Sequence, residues 1–285
     1  MIRSTWDEWF IEEVENAVID GLSIWYLGAT GFIIRTATTT MYIDPYFGIG
    51  EHRSDAVRIC PIPMDPSDAT LCDAILITHE HVDHMHPPSY IPLGESLDAT
   101  IHAPETCFIN PDYDGPLRIP PPQRSTVKPG DTFEVGDLTV YVFAANDTDA
   151  VEPVSFVIEH ASGTFYHGGD TKYTDQFIAI GERFDITLAA SAFGTVGPFT
   201  PPDEVRVKPT RWYMDGNEMI KAAVALGVER LVPTHYNLWK GFETDPKVLH
   251  DHAVSFRYPN VIEMVRVGDR LDIKQPGIVP PEWAE

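Results

Sequence analysis

Thr78-His79-Glu80-His81-Val82-Asp83-His84 is the stretch on which the reading of this chain turns. Directly before it stands Ala74-Ile75-Leu76-Ile77, a short, β-branched apolar run between polar residues that predicts a buried strand. The histidines and Asp83 then lie on the loop leaving that strand's carboxyl end, where α/β proteins place their chemistry. His79 and His81, two apart in extended chain, project to one side and can hold one ion. Asp83 and His84 follow once the chain has begun to turn and can face a second ion beside the first. Two ions about 3.5–4 Å apart clamp a single water between them. A polar loop with surface histidines is the competing reading. It is the weaker one, because imidazoles and a carboxylate crowd together chiefly where a metal screens them.

The 285 residues suffice for one large α/β domain or two small ones. No Gly/Ser-rich linker, long charge run or low-complexity tract marks a boundary, so residues 1–285 are expected to form one domain. A net charge of −23 argues against nucleic acid and against an anionic membrane surface as partners. It suits solubility, and a salt-rich cytoplasm would also account for it. No apolar run approaches the roughly 20 residues of a membrane span. The amino terminus lacks the basic and apolar segments of a secretory signal. Cys60, Cys72 and Cys107 leave one thiol unpaired in any scheme, which fits a reducing compartment. A cytoplasmic protein acting on a small molecule is expected.

Residues 4–18 read as a helix capped by Ser4 or Thr5, with Trp6, Phe10, Val14 and Ala17 on an apolar face. That face packs on the domain or on another subunit, which leaves a homo-oligomer open. Short strands are expected at 22–27, 32–36 and 41–44, the last ending at Asp44. The Asp44 carboxylate either hydrogen-bonds the second nitrogen of a ligand histidine or makes a local turn before Pro45. Residues 47–71 are irregular and proline-rich and are a candidate wall of a substrate cleft. Hairpin strands follow at 132–135 and 138–144, then a pair at 154–159 and 164–167 that leads into Gly168-Gly169-Asp170. A strand at 186–190, a helix at 215–226, a strand at 231–232 and a helix at 247–256 complete the pattern.

His79-x-His81-x-Asp83-His84 resembles the HxHxDH signature of the metallo-β-lactamase superfamily. The resemblance extends along nearly the whole chain through Trp25-Tyr26-Leu27-Gly28-Ala29-Thr30-Gly31, Tyr42-Ile43-Asp44-Pro45, Lys128-Pro129-Gly130-Asp131, Tyr166-His167-Gly168-Gly169-Asp170 and Pro233-Thr234-His235-Tyr236-Asn237-Leu238-Trp239. More narrowly, the chain is similar to the branch containing the L-ascorbate-6-phosphate lactonases. This implies an α/β fold with four layers, an αββα sandwich. It also implies that Asp170 bridges two ions and that His235 is the last histidine ligand. Most members carry a further histidine between Asp83-His84 and Asp170. Residues 144–150 have none, and Asp147 offers the nearest oxygen. Asp147 is therefore either a ligand completing the His79/His81 site or a turn residue capping local amides.

The cofactor expected is one or two divalent ions, Zn²⁺ or Mn²⁺, with a carboxylate at Asp147 making the site harder and more suited to Mn²⁺. The chemistry expected is hydrolysis by metal-activated water, with Asp83 and Asp170 as candidate catalytic carboxylates that orient the nucleophile and move its proton. A sugar-acid or related lactone is the favoured substrate. Phosphodiester hydrolysis at the same site, and a non-catalytic metal-binding protein, are the alternatives. Lys172, Tyr173, Tyr236 and Asn237 adjoin predicted ligands and are candidates for the cleft rim. Arg206, Lys208 and Arg211 either meet an anion or are solvated loop charges.

Overall fold

In the computed structural model, which describes residues 4–50, 57–109, 119–194, 197–199 and 208–274, strand β1 (Leu22–Gly28) is buried on both faces. Leu22, Ile24 and Tyr26 face one apolar cluster, and Trp25 and Leu27 another. That is the period-two alternation of a pleated strand with a layer on either side. In β2 (Gly31–Arg35), Phe32 and Ile34 oppose Ile33; in β3 (Thr40–Ile43), Met41 and Ile43 oppose Tyr42. In β4 (Ala74–Leu76), Ala74 and Leu76 oppose Ile75. Strands β1, β2 and β3 are antiparallel; β4, β5 (Thr100–Ala103) and β6 (Arg124–Thr126) extend the sheet in parallel.

The second sheet repeats this plan. An antiparallel meander of β7 (Thr132–Val135), β8 (Leu138–Ala144), β9 (Val154–His160) and β10 (Gly163–His167) comes first. It continues in parallel through β11 (Leu188–Ala192). Strands β12 (Gly197–Phe199) and β13 (Lys208–Thr210) form a separate short pair. The parallel half ends with β14 (Arg230–Thr234) and β15 (Val261–Ile262), and β16 (Arg270–Ile273) returns to the first sheet beside β1.

One core lies between the sheets, where Phe32 meets Phe165 edge-on at 5.6 Å. Each such fully buried apolar side chain contributes about 1.5–3 kcal/mol. Helices α1 (Trp9–Asn16), α2 (Pro87–Leu97) and α3 (Glu105–Phe108) cover the first sheet through Phe10, Val14, Tyr90, Leu93 and Cys107. On the second sheet, α4 (Gln176–Arg183), α5 (Gly216–Leu226) and α6 (Val248–Phe256) pack through Phe177, Ile180, Met219, Ala223 and Leu249. The layers run αββα, as expected.

The amino-terminal helix is shorter than the expected 4–18. Ser4 and Thr5 do not cap it, because both hydroxyls donate to the carbonyl of Ile62 at 3.0 Å. Its N-cap position falls to Glu8, which makes no side-chain cap, and Ala17 is extended. By contrast, the Asp215 carboxylate caps α5 at the Glu218 amide, and Gly227 closes that helix at φ 64°. No described helix is long and apolar enough to cross a membrane.

Candidate metal centre

The centre forms where the parallel halves of both sheets end. Asp44, just past β3, organises it. Its carboxylate accepts from the Thr78 amide at 2.8 Å, the Thr78 hydroxyl at 2.7 Å and the Thr30 hydroxyl at 3.2 Å. It also accepts a hydrogen bond from His84 Nδ1 at 2.8 Å. Of the two readings of Asp44, the geometry is that of a histidine orienter. It fixes the His84 tautomer and leaves Nε2 free to ligate. Asp44 adopts φ 41° and His235 φ 66°, left-handed conformations that non-glycine residues adopt at a cost.

Three sets of donor atoms converge here. His79, His81 and Asp147 form one; Asp83, His84 and His235 form a second. Asp170 joins His79 and His84 in the third, and so lies between the other two. His79 Nε2 is 3.0 Å from His81 Nδ1, and Asp147 Oδ2 is 3.8 and 3.7 Å from those nitrogens. On the other side His235 Nε2 is 3.2 Å from Asp83 Oδ2, and Asp170 Oδ2 is 3.4 Å from His84 Nε2 and 3.6 Å from His235 Nε2. The sequence pairing of His79 with His81, and of Asp83 with His84, corresponds to these groups.

Gly168 and Gly169 let Asp170 in. A Cβ on Gly168 would lie 2.4 Å from Ser191 Oγ, and one on Gly169, at φ 58°, 2.9 Å from Thr78 Cγ2. Asp147 divides its carboxylate. Oδ1 accepts from the amides of Asp149 at 2.8 Å and Ala150 at 3.3 Å, and Oδ2 faces the histidines. The two readings of Asp147 thus describe its two oxygens.

Divalent ions fit this donor set. Asp147 Oδ2, Asp170 Oδ1 and His84 Nε2 are buried and have no hydrogen-bond partner among the described residues. Buried acceptors in that condition are costly unless a cation satisfies them. Burial, then His84 and His81, hold the His79 imidazole well below its usual range, so it is neutral and ready to ligate. For His84, burial is outweighed by the Asp170 and Asp44 carboxylates, and its pKa is raised well above the usual range. Burial would raise Asp83, but the hydrogen bond from His235 and the nearby imidazoles hold it well below the carboxylate range. Burial and the proximity of Asp170 push Asp147 up to about 6. Entering ions would displace the protons so held.

The remaining candidates are placed variously. Lys172 reaches the Thr148 hydroxyl at 3.1 Å. Tyr173 stacks on Phe177 at 5.6 Å beneath the Lys221 ammonium, within the helix layer. Tyr236 lies 6.2 Å from Phe193, and Asn237 is half-buried. Arg211 pairs with Asp215 at 3.4 Å and Glu218 at 2.5 Å at the start of α5. Arg206 and the side chain of Lys208 lie outside the described residues, as does part of the 47–71 stretch. His86 bonds Ser89, His102 stacks on Phe133 and His160 bonds Ser162.

Sequence reasoning missed two residues. Glu80, inside the motif, turns away from the centre and accepts from the Val151 amide at 2.7 Å, bracing the Asp147 loop. Tyr213 packs its ring 5.0 Å from that of His235. No spacing links position 213 to the motif, so only tertiary structure could have found it.

Comparison with known proteins agrees with this architecture. The beta-lactamase superfamily domain matches residues 39–236. A probable L-ascorbate-6-phosphate lactonase from Escherichia fergusonii is 23% identical over 85% of this chain and 77% of its own length. Among solved structures, a possible metal-dependent hydrolase from Veillonella parvula superposes with a TM-score of 0.67 at 14% identity, covering 90% of this chain and 99% of the other. A metallo hydrolase from Ignicoccus hospitalis gives 0.63 at 17% identity, covering 88% and 97%.

Proposed function

The chain belongs to the beta-lactamase superfamily, and from that premise we propose that it is a metal-dependent hydrolase opening a sugar-acid or related lactone. The observation that carries this reading is Asp170, set between the histidine groups with an unpartnered buried oxygen. A carboxylate so placed is suited to two ions at once. The likeness to probable L-ascorbate-6-phosphate lactonases, at 23% identity, supports a lactone as the substrate class.

When bound, divalent ions supply Lewis acidity and make water acidic enough to attack near neutral pH. The protein supplies orientation and proton handling. His79, His81 and Asp147 would hold one ion; His84 and His235 the other. Asp44 fixes the His84 ring. Asp83 and Asp170 orient the attacking water, and one of them carries its proton to the ring oxygen that leaves the acyl carbon. The missing middle histidine is the only sequence support for a non-catalytic protein, and Asp147, with Oδ2 facing His79 and His81, weakens that alternative.

The test is a screen of sugar-acid lactones and phosphodiesters with protein stripped by a chelator and reloaded with Mn²⁺ or Zn²⁺. Metal-dependent ring opening of a lactone supports the reading. Turnover confined to phosphodiesters would replace it with the runner-up, and no turnover of either class under any metal would refute both.

A further inference from the structure

We propose that Tyr213 is a substrate-contacting residue of this centre, its phenol O–H donating a hydrogen bond to the oxygen of the group under attack. The proposal rests on the hydrolytic reading above and adds to it a donor that the metal-ligand pattern does not contain.

The position of Tyr213 is set from both sides. The Met214 amide donates to the carbonyl of Thr171, next to Asp170, at 3.0 Å, and the Met214 carbonyl accepts from the Gly194 amide at 3.0 Å. Met214 is fully buried. On the other side the Arg211 carbonyl accepts from the Thr148 hydroxyl at 2.7 Å, and the Trp212 indole donates to Asp149 at 3.0 Å. These bonds tie the segment to the loops carrying Asp170 and Asp147. Gly194 leaves room for the ring, since a Cβ there would lie 3.1 Å from Tyr213 Cε2. The ring then lies tilted at 43° to His235.

The side chain is half-buried, and its hydroxyl has no hydrogen-bond partner among the described residues. A tyrosine phenol keeps its proton at neutral pH and can act through that O–H or as an acceptor. Around it carboxylates accept without donating, and imidazole nitrogens would be taken up by ions. A substrate oxygen that gains negative charge during attack is best stabilised by a donor held in place beforehand.

Tyr213→Phe tests this, since it removes one oxygen and keeps the ring against His235. Two readouts on metal-loaded protein are needed: the affinity for acetate, a simple oxyanion that does not depend on the substrate assignment, and the kinetics on any lactone the wild type opens. Expected are a fall of about 10- to 100-fold in kcat/KM, carried mainly by kcat, and weaker acetate binding, with metal content and Tm unchanged. Weaker acetate binding in a protein that opens no lactone would sustain Tyr213 while refuting the lactonase reading. Equal acetate affinity and equal turnover in the two proteins would overturn the proposal, as would loss of metal or of Tm in the variant, which would make Tyr213 structural.

Discussion

Asp147 has one oxygen on backbone amides and the other facing His79 and His81. Asp147→Ala should therefore weaken binding of one ion and leave the Asp83/His84/His235 group able to bind the other, as read by metal titration into stripped protein. Asp147→His should shift preference toward Zn²⁺, because imidazole is the softer ligand. The pH dependence has a definite sign. With its carboxyl pushed up to about 6, Asp147 holds a proton below that pH which an ion must displace. Metal affinity should fall as pH drops from 7 to 5, with proton release that calorimetry in buffers of different ionisation enthalpy detects. An unchanged affinity across that range would count against Asp147 as a ligand. Asp83 is held ionised by His235 and its neighbours. Asp83→Asn should keep the fold and lower kcat by about 10²–10⁴; near-normal turnover would move proton handling to Asp170.

Loops at strand ends carry the centre, and they are braced rather than free. Glu80 joins the motif loop to the Asp147 loop through the Val151 amide. Glu80→Ala would remove that acceptor, with an expected cost of about 1–3 kcal/mol. Denaturant unfolding and metal titration should both register it, and unchanged values would mean that the Glu80 contact braces neither the fold nor the centre. At this scale the sequence was most legible where chemistry is local. Strands β1 to β4 announce themselves by apolar runs, and HxHxDH sets its ligands within six residues of one another. The start of α1 was misread because the Ser4 and Thr5 hydroxyls serve Ile62, a contact 57 residues or more away that no local pattern encodes. The contacts of Glu80 with Val151 and of Tyr213 with His235 are long-range in the same way.

Across the whole molecule, two sheets of like plan bring β4, β10, β11 and β14 to one end, so that ligands far apart in sequence meet. The resemblance anticipated this architecture and pointed to Asp170 and His235, whose donor atoms the fold brings to the motif cluster; the residues alone predicted that cluster. Metal removal should be felt globally, because like charges at Asp83, Asp147 and Asp170 then face one another. Each ion at 100 times its Kd should stabilise by about 2.7 kcal/mol, so that loss of even one is measurable. At about 2–4 °C per kcal/mol for a large domain, chelation should lower Tm by about 5–10 °C for each ion removed. A Tm indifferent to chelator would mean that the donor groups hold no ion.

Whether these side chains hold two ions is tested most directly by anomalous diffraction from crystals of protein loaded with Mn²⁺ or Zn²⁺. Two peaks are expected, one among His79, His81 and Asp147 and one among Asp83, His84 and His235, with Asp170 between them. Metal bound elsewhere, or any two of these side chains turned away from it, would contradict a two-ion centre.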